Sequence, residues 1–309
     1  MTSPSPAPGQ PAPDRPVAVA VQGELGCNSE LAAHQYFDAK VAVDIVTCTS
    51  FADLFEAQAS GAAQYAMAPV ENSLAGGVHP VWDLLLEHRP PVAGELLLRI
   101  SHCLITHPGA DLGDLTDVYS HPQALAQCAR YLSSLEGVRQ HEVYDTAGAV
   151  KMIAERQVRG EAAIASAQAA ADYGMPIAMS GIETEHENYT RFLVLGEGAA
   201  ADGASCDGAS PDATRTSVIA PLGEGARDLA AMLAALTARN LEVAKVECVK
   251  RLGRPWDYVA FVDFASGLDQ SGSAAALAQM QALCPGLCTL GPYPAGRRAE
   301  PGLRPAPSE

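Results

Sequence analysis

Basic residues are scarce in this chain. Lys and Arg number 20 against 36 Asp and Glu, for a formal net charge of −16 and an isoelectric point near 4.8. So acidic a surface repels a phosphate backbone unless a local basic patch offsets it, and no run of Lys and Arg occurs, so nucleic acid is not an expected partner. A membrane span is missing too: the longest low-charge stretch, 162–182, is Ala-rich and interrupted by Asp172, Gly174 and Pro176. The first 16 residues hold six prolines and no apolar h-region, so no secretory signal is read there and a cytoplasmic location is expected. No CxxC occurs. The eight cysteines, at 27, 48, 103, 128, 206, 248, 284 and 288, sit mostly in apolar surroundings and read as reduced core thiols. Cys284 and Cys288 have no second ligand pair nearby and no HExxH appears, so no metal is expected. GxGxxG and GxxxxGK[ST] are absent, which disfavours a dinucleotide or a nucleoside triphosphate. Without a GxSxG elbow, a hydrolase with a Ser or Cys nucleophile is not suggested.

What is present is enough for packed cores. The 309 residues are 48% hydrophobic and 18% charged, a composition and length that suggest two domains. Residues 1–16 and 291–309 are Pro-rich, and 198–214 is mostly Ala, Gly, Ser and Asp; all three read as unstructured, the last as a linker. Between them lie folded units of 17–197 and 215–290.

In the first unit, short strand-like runs (17–22, 43–47, 65–69, 117–120, 138–143, 162–165, 188–195) alternate with helical patterns (29–38, 51–60, 78–87, 121–135, 147–155). That alternation predicts an α/β unit with largely parallel sheets. Crossovers near 93–106 and 183–190 would divide it into two lobes around a cleft. His102 and His107 read as satisfied core or loop histidines, and Glu183, Glu185 and Glu187 as a solvated loop. The second unit reads βαββαβ, the ferredoxin-like order.

Several strands of the first unit end in a small-polar cluster that opens a helix: Cys27-Asn28-Ser29, Glu71-Asn72-Ser73, Ser120-His121-Pro122 and Asp145-Thr146. Each alone is explained as an N-cap. Together they place helix N-termini beyond the carboxyl ends of strands, where open α/β sheets bind ligands. Helix dipoles, with Arg191 or Lys151, would let an acidic protein bind a small carboxylate.

Read in order, these clusters resemble the prephenate dehydratases. The resemblance rests on QGELGCNSELAA (22–33), PVENSLAGGV (69–78), SHPQALAQC (120–128), DTAGAV (145–150) and NYTRFLVL (188–195). Residues 215–290 are similar to the ACT regulatory domain that follows in such enzymes, through GARDLAAML (225–233), KVEC (245–248) and PWDYVAFVDF (255–264). The resemblance implies a two-lobed, periplasmic-binding-protein-like catalytic unit. It also implies cofactor-free conversion of prephenate, a small dicarboxylate, to phenylpyruvate, carbon dioxide and water in phenylalanine synthesis. Close relatives use arogenate and give phenylalanine directly. A two-lobed amino-acid sensor without chemistry is the rival from another class.

By that resemblance Thr190 serves the leaving hydroxyl, and Glu71 is the acid if burial raises its pKa. Asn28, Asn72, Ser73, Ser120, Gln127 and Thr146 orient the substrate. Strand alternation points Arg191 away from Thr190, leaving it as a lobe-tying salt bridge or a substrate clamp. Gly225, Ala226 and Glu247 fall in the blocks that bind a regulatory amino acid in relatives. Arg227 and the run Cys248-Val249-Lys250 depart from the usual spelling there, which opens the choice of effector between phenylalanine and another amino acid. ACT-type units generally pair, so a homodimer or homotetramer is expected.

Overall fold

The computed structural model describes residues 16–37, 41–197, 214–251, 255–265 and 272–304. The stretches read as unstructured over 1–16 and 198–214 fall outside the described residues, except for Pro16, coil, and Thr214, which opens a strand. The chain begins β1 (Val17–Gln22), α1 (Asn28–Tyr36), β2 (Val43–Cys48), α2 (Phe51–Ala59), β3 (Tyr65–Asn72), β4 (Gly76–Gly77), α3 (His79–His88) and β5 (Val92–Arg99). It continues through β6 (Cys103–Thr106), β7 (Asp117–Ser120), α4 (Pro122–Gln127), α5 (Ala129–Leu132), β8 (Arg139–Glu142), α6 (Thr146–Arg156), β9 (Glu161–Ala165), α7 (Ala167–Asp172), β10 (Ile177–Ser180) and β11 (Tyr189–Leu195). The remainder is β12 (Thr214–Leu222), α8 (Ala226–Thr237), β13 (Glu242–Lys250), β14 (Tyr258–Ala265), α9 (Ser273–Leu283), β15 (Cys288–Pro294) and β16 (Arg297–Ala299). The described residues fall into two compact units, one within 11–76, 97–192 and 298–309, the other within 77–96 and 193–297.

The first unit contains one whole sheet and most of another. A seven-stranded sheet runs β16-β5-β11-β3-β1-β2, with β4 beside β3. β1 is parallel to both β2 and β3. Its VAVAVQ run has Val19, Ala20 and Val21 fully buried, as a strand covered on both faces requires. The second sheet runs β10-β6-β9-β7-β8. Here the expectation of parallel pairing holds only in part: β7 is parallel to β8 and β9, but β6 is antiparallel to β9 and β10. The apolar stretch read as a crossover is two strands, β5 and β6, and the chain changes sheets between Arg99 and Cys103. It returns between Ser180 and Tyr189. The single helix expected over 121–135 is two, broken at Cys128. Leu104, Val118, Leu125, Cys128 and Ile164 fill the core of the second half.

The other unit carries an antiparallel sheet in the order β13-β14-β12-β15, the ferredoxin-like arrangement read from the sequence. Val218, Ala260, Val262, Phe264, Met232 and Met280 form its core beneath α8 and α9. Alternation sends Phe261 to the opposite face, where Trp82 of α3 stacks on it at 4.7 Å.

The expectation of an unstructured tail over 291–309 is corrected for 291–304. β15 extends to Pro294, β16 follows, and Glu300 and Arg304 are ion-paired; 305–309 lie outside the described residues. Prolines persist here because an edge strand does not need every N–H. Composition alone missed that the charged residues among them have partners.

Candidate active site

Thr190 on β11 lies beside the end of β3. Asn72 Nδ2 donates to Thr190 Oγ1 at 3.1 Å and to Asn188 Oδ1 at 2.8 Å, with the Tyr189 carbonyl at 3.3 Å. Asn72 Oδ1 accepts the N–H groups of Leu74 and Ala75 at 3.1 and 3.0 Å. The Asn72 amide is thus consumed internally, in a turn and not in the helix cap expected of Glu71-Asn72-Ser73; α3 starts later, after Val78, without a side-chain cap. This arrangement has a chemical consequence. Because Thr190 Oγ1 accepts from Asn72, its own O–H remains to be donated elsewhere. Asn72 therefore orients the hydroxyl and is not left to bind a ligand. Ser73 joins the two strands: its Oγ donates to the Glu187 carbonyl at 3.2 Å and accepts the Tyr189 N–H at 2.9 Å.

Glu71 does not accompany Thr190. It alternates with Asn72 along β3, as Arg191 does with Thr190 along β11, and Arg191 Nη1 lies 3.8 Å from Glu71 Oε2. Arg191 is 5% exposed, so of its two readings the ion pair is the one seen. With 29% of its side chain exposed beside a guanidinium, Glu71 lacks the apolar burial that the acid role required. Ser120 is also corrected as a ligand: it is fully buried, and its Oγ donates to the Ile164 carbonyl at 2.6 Å, tying β7 to β9.

The two halves meet at the first glycine loop. Asp145 caps α6 by accepting the Gly148 N–H at 3.1 Å, and the same Oδ2 accepts the Glu24 N–H at 3.2 Å. The Glu24 carboxylate takes hydrogen bonds from Tyr144 at 2.9 Å and from Lys151 at 3.1 Å. Burial would raise the Glu24 pKa, but these hydrogen bonds outweigh it and hold the group below the usual carboxylate value. Ser166, which caps α7, donates to the Gly26 carbonyl at 2.7 Å. Gly26 has φ +87°, and a Cβ there would lie 2.6 Å from Ala169 Cα; only glycine fits. Beside this contact is a depression of about 140 Å³ lined by Gln22, Gly23, Glu24, Thr47, Cys48, Thr49 and Tyr144. Thr146 and Asn28 stand half-buried at the first positions of α6 and α1, with no side-chain hydrogen bond among the described residues. Cys27 precedes α1 without capping it, and burial followed by the nearby Asp145 charge pushes its thiol up to about 12. It is not a thiolate nucleophile.

A further cluster, at the crossovers, went unrecognised in the sequence. Glu183 is not solvated: it is 4% exposed, accepts the His102 N–H at 2.9 Å, and has Arg99 at 3.5 Å. The His102 ring bonds Gln127 Oε1 at 2.8 Å. Burial keeps this imidazole below its ordinary pKa, so it is neutral and donates Nε2–H to Gln127. Gln127 is thereby held with its amide nitrogen directed away from His102. His107 Nε2, by contrast, is buried without a partner among the described residues. Glu247 lies on β13 of the other unit, accepting the Gly77 N–H at 3.2 Å with His79 at 3.3 Å and Lys245 at 3.1 Å. Gly225 and Ala226 open α8. Among the described residues, no helix is long and apolar enough to cross a membrane, and no group of three His, Cys, Asp or Glu is placed for a metal ion.

A mixed α/β unit on two sheets, with an oriented threonine hydroxyl at a strand pair and capped helix starts meeting a glycine loop, defines a small-ligand-binding α/β protein. The chain belongs to the prephenate dehydratase family, which it matches over residues 19–200. It is 36% identical to arogenate dehydratase/prephenate dehydratase 6, chloroplastic, of Arabidopsis thaliana, across 95% of this chain and 72% of that one. Among solved structures it resembles the prephenate dehydratase of Arthrobacter aurescens in complex with L-Phe, with a TM-score of 0.77, 27% identity and 90% of each chain covered. It also resembles a protein described as a quorum-quenching acylase, with a TM-score of 0.75 and 29% identity over 90% of this chain and 98% of that one.

Proposed function

We propose that this chain catalyses the decarboxylating dehydration of prephenate to phenylpyruvate in phenylalanine synthesis. The observation that carries the reading is the Thr190 hydroxyl, which accepts from Asn72 and so retains its own O–H as a donor. In the reaction the electron pair of the ring carbon–carboxylate bond enters the ring as the bond to the 4-hydroxyl breaks. Carbon dioxide and hydroxide leave, the hydroxide takes up one proton as water, and the ring becomes aromatic. The aromatic product supplies the driving force, and the protein's task is to position the substrate and stabilise the departing oxygen. Thr190 donates a hydrogen bond to that oxygen. Asn28 and Thr146, which have no side-chain hydrogen bond among the described residues, and the amide nitrogen of Gln127, whose Oε1 is taken by His102, orient the substrate between two lobes of periplasmic-binding-protein type.

Arogenate is the second reading, and Glu24 favours it. Glu24 lines the depression, and its carboxylate, held below the usual carboxylate pKa, carries the sign of charge that an α-ammonium requires. Residues 215–290 act as an ACT-type amino-acid-sensing domain, with Gly225, Ala226 and Glu247 in the regulatory blocks, and the protein works as a homodimer or homotetramer. A phenylalanine effector is supported by the L-Phe complex of the Arthrobacter protein. The test is to incubate the protein with prephenate and with arogenate, with and without phenylalanine, following phenylpyruvate and phenylalanine formation. Turnover of neither acid, with calorimetric binding of phenylalanine retained, would replace this reading with a non-catalytic sensor. Sedimentation as a monomer at micromolar concentration would refute the assembly.

A further inference from the structure

We propose that Arg304 is a positioning residue: through the ordered C-terminal tail it clasps the two halves of the first unit and holds the Gly23–Cys27 loop in place. Its Nη1 lies 2.6 Å from Glu30 Oε1, its Nη2 lies 2.7 Å from Asp172 Oδ1, and its backbone N–H donates to Gln168 Oε1 at 2.6 Å. Glu30 belongs to α1 in the first half; Gln168 and Asp172 belong to α7 in the second. One guanidinium fork therefore spans both, a task suited to arginine and not to the point charge of lysine.

The clasp closes a ring that passes through the loop. Glu30 is fully buried, and its Oε2 accepts the Gly26 N–H at 2.6 Å. The Gly26 carbonyl accepts from Ser166, the cap of α7, and α7 returns to Arg304 through Asp172. A buried carboxylate stripped of its counter-ion is costly. The His34 imidazole also lies near Glu30, with Nε2 at 3.7 Å. The tail is seated before it reaches this point, by Arg298 over the Tyr189 ring at 5.0 Å and by Glu300 on Arg99 at 2.8 Å.

A ligand that binds only when the loop is seated pays for the fraction of molecules in which it is not. Removing the clasp should thus raise KM and spare kcat, since Arg304 touches no reacting atom. That arm rests on the proposed dehydratase activity. Amide hydrogen exchange of the loop does not, so the two readings fail separately.

The experiment compares the full chain with its Arg304→Gln and Asp172→Asn variants; the second keeps the Glu30 pair and is the milder. Both should exchange amides faster at 23–27 and 167–172, and Arg304→Gln should raise KM about tenfold with kcat within about twofold. Unchanged exchange at 23–27 in both variants would overturn the proposal. So would a lowered melting temperature accompanied by an unchanged KM, since that marks a merely structural ion pair. Faster exchange with no turnover of either acid by any form, wild type included, would uphold the clasp and refute the dehydratase reading.

Discussion

Replacing Thr190 by Val deletes one hydroxyl at nearly constant shape, and the structure separates the cost to folding from the cost to chemistry. Asn72 Nδ2 loses an acceptor at 3.1 Å but keeps Asn188 Oδ1 at 2.8 Å and the Tyr189 carbonyl at 3.3 Å. No buried donor is orphaned, so the loss is that of an ordinary hydrogen bond, about 0.5–1.5 kcal/mol. Against a total stability of about 5–15 kcal/mol this lowers the melting temperature by a few degrees and leaves the protein folded. The reaction loses a positioned donor at the departing oxygen, which is worth about 10²–10⁴-fold in rate. The expected result is a fall of that size in kcat and in kcat/KM together, with KM within about threefold, because the hydrogen bond strengthens only as the C–O bond breaks. Phenylpyruvate absorbance in alkali follows the rate, and calorimetry follows the fold. Thr190→Ser should retain most of the activity. A Val variant within about tenfold of wild type would refute the assignment.

Glu71→Gln should keep kcat within about tenfold and cost about 1–3 kcal/mol in urea unfolding, since it removes the carboxylate charge beside the buried Arg191 guanidinium; a loss of rate rivalling that of Thr190→Val would return Glu71 to the reaction. His102 is held neutral in the fold below its ordinary value of 6.5, first by burial, so the unfolded chain binds its proton at higher pH than the native one. Stability should therefore be unaffected by His102 well above pH 6.5 and fall as pH drops through that value, by at most about 1.4 kcal/mol per pH unit. His102→Gln should flatten that slope, and an identical pH profile would contradict the burial argument. Gly26→Ala places a Cβ 2.6 Å from Ala169 Cα at φ +87°. Strain of about 1–3 kcal/mol and a raised KM are expected from denaturation and steady-state kinetics; wild-type values for both would show that the loop is not pressed on α7.

Much of the architecture was legible in local pattern. β1 and β7 occupy the residues read for them, because VAVAVQ and DVYS are short runs rich in β-branched and aromatic residues. The βαββαβ order of the second unit was equally visible. Antiparallel β6 was not, because a run buried on both faces has no alternation to show its direction. Among the site residues, Thr190 and Asn72 stand together, through a contact between residues 118 positions apart. Ser120 and Glu71 carry the same kind of motif signal and point elsewhere, one into the core and one to the far side of its strand.

The sequence by itself determined the order of most elements and the family, since these are carried by patterns and motifs that each span a few residues. Tertiary structure alone decided which polar atoms are already satisfied: Asn72 by its own turn and by β11, Glu183 by His102, Glu30 by an arginine 274 positions away. Hydrogen-bond valence is saturated by whatever the fold brings within about 3 Å, and sequence spacing says nothing of that.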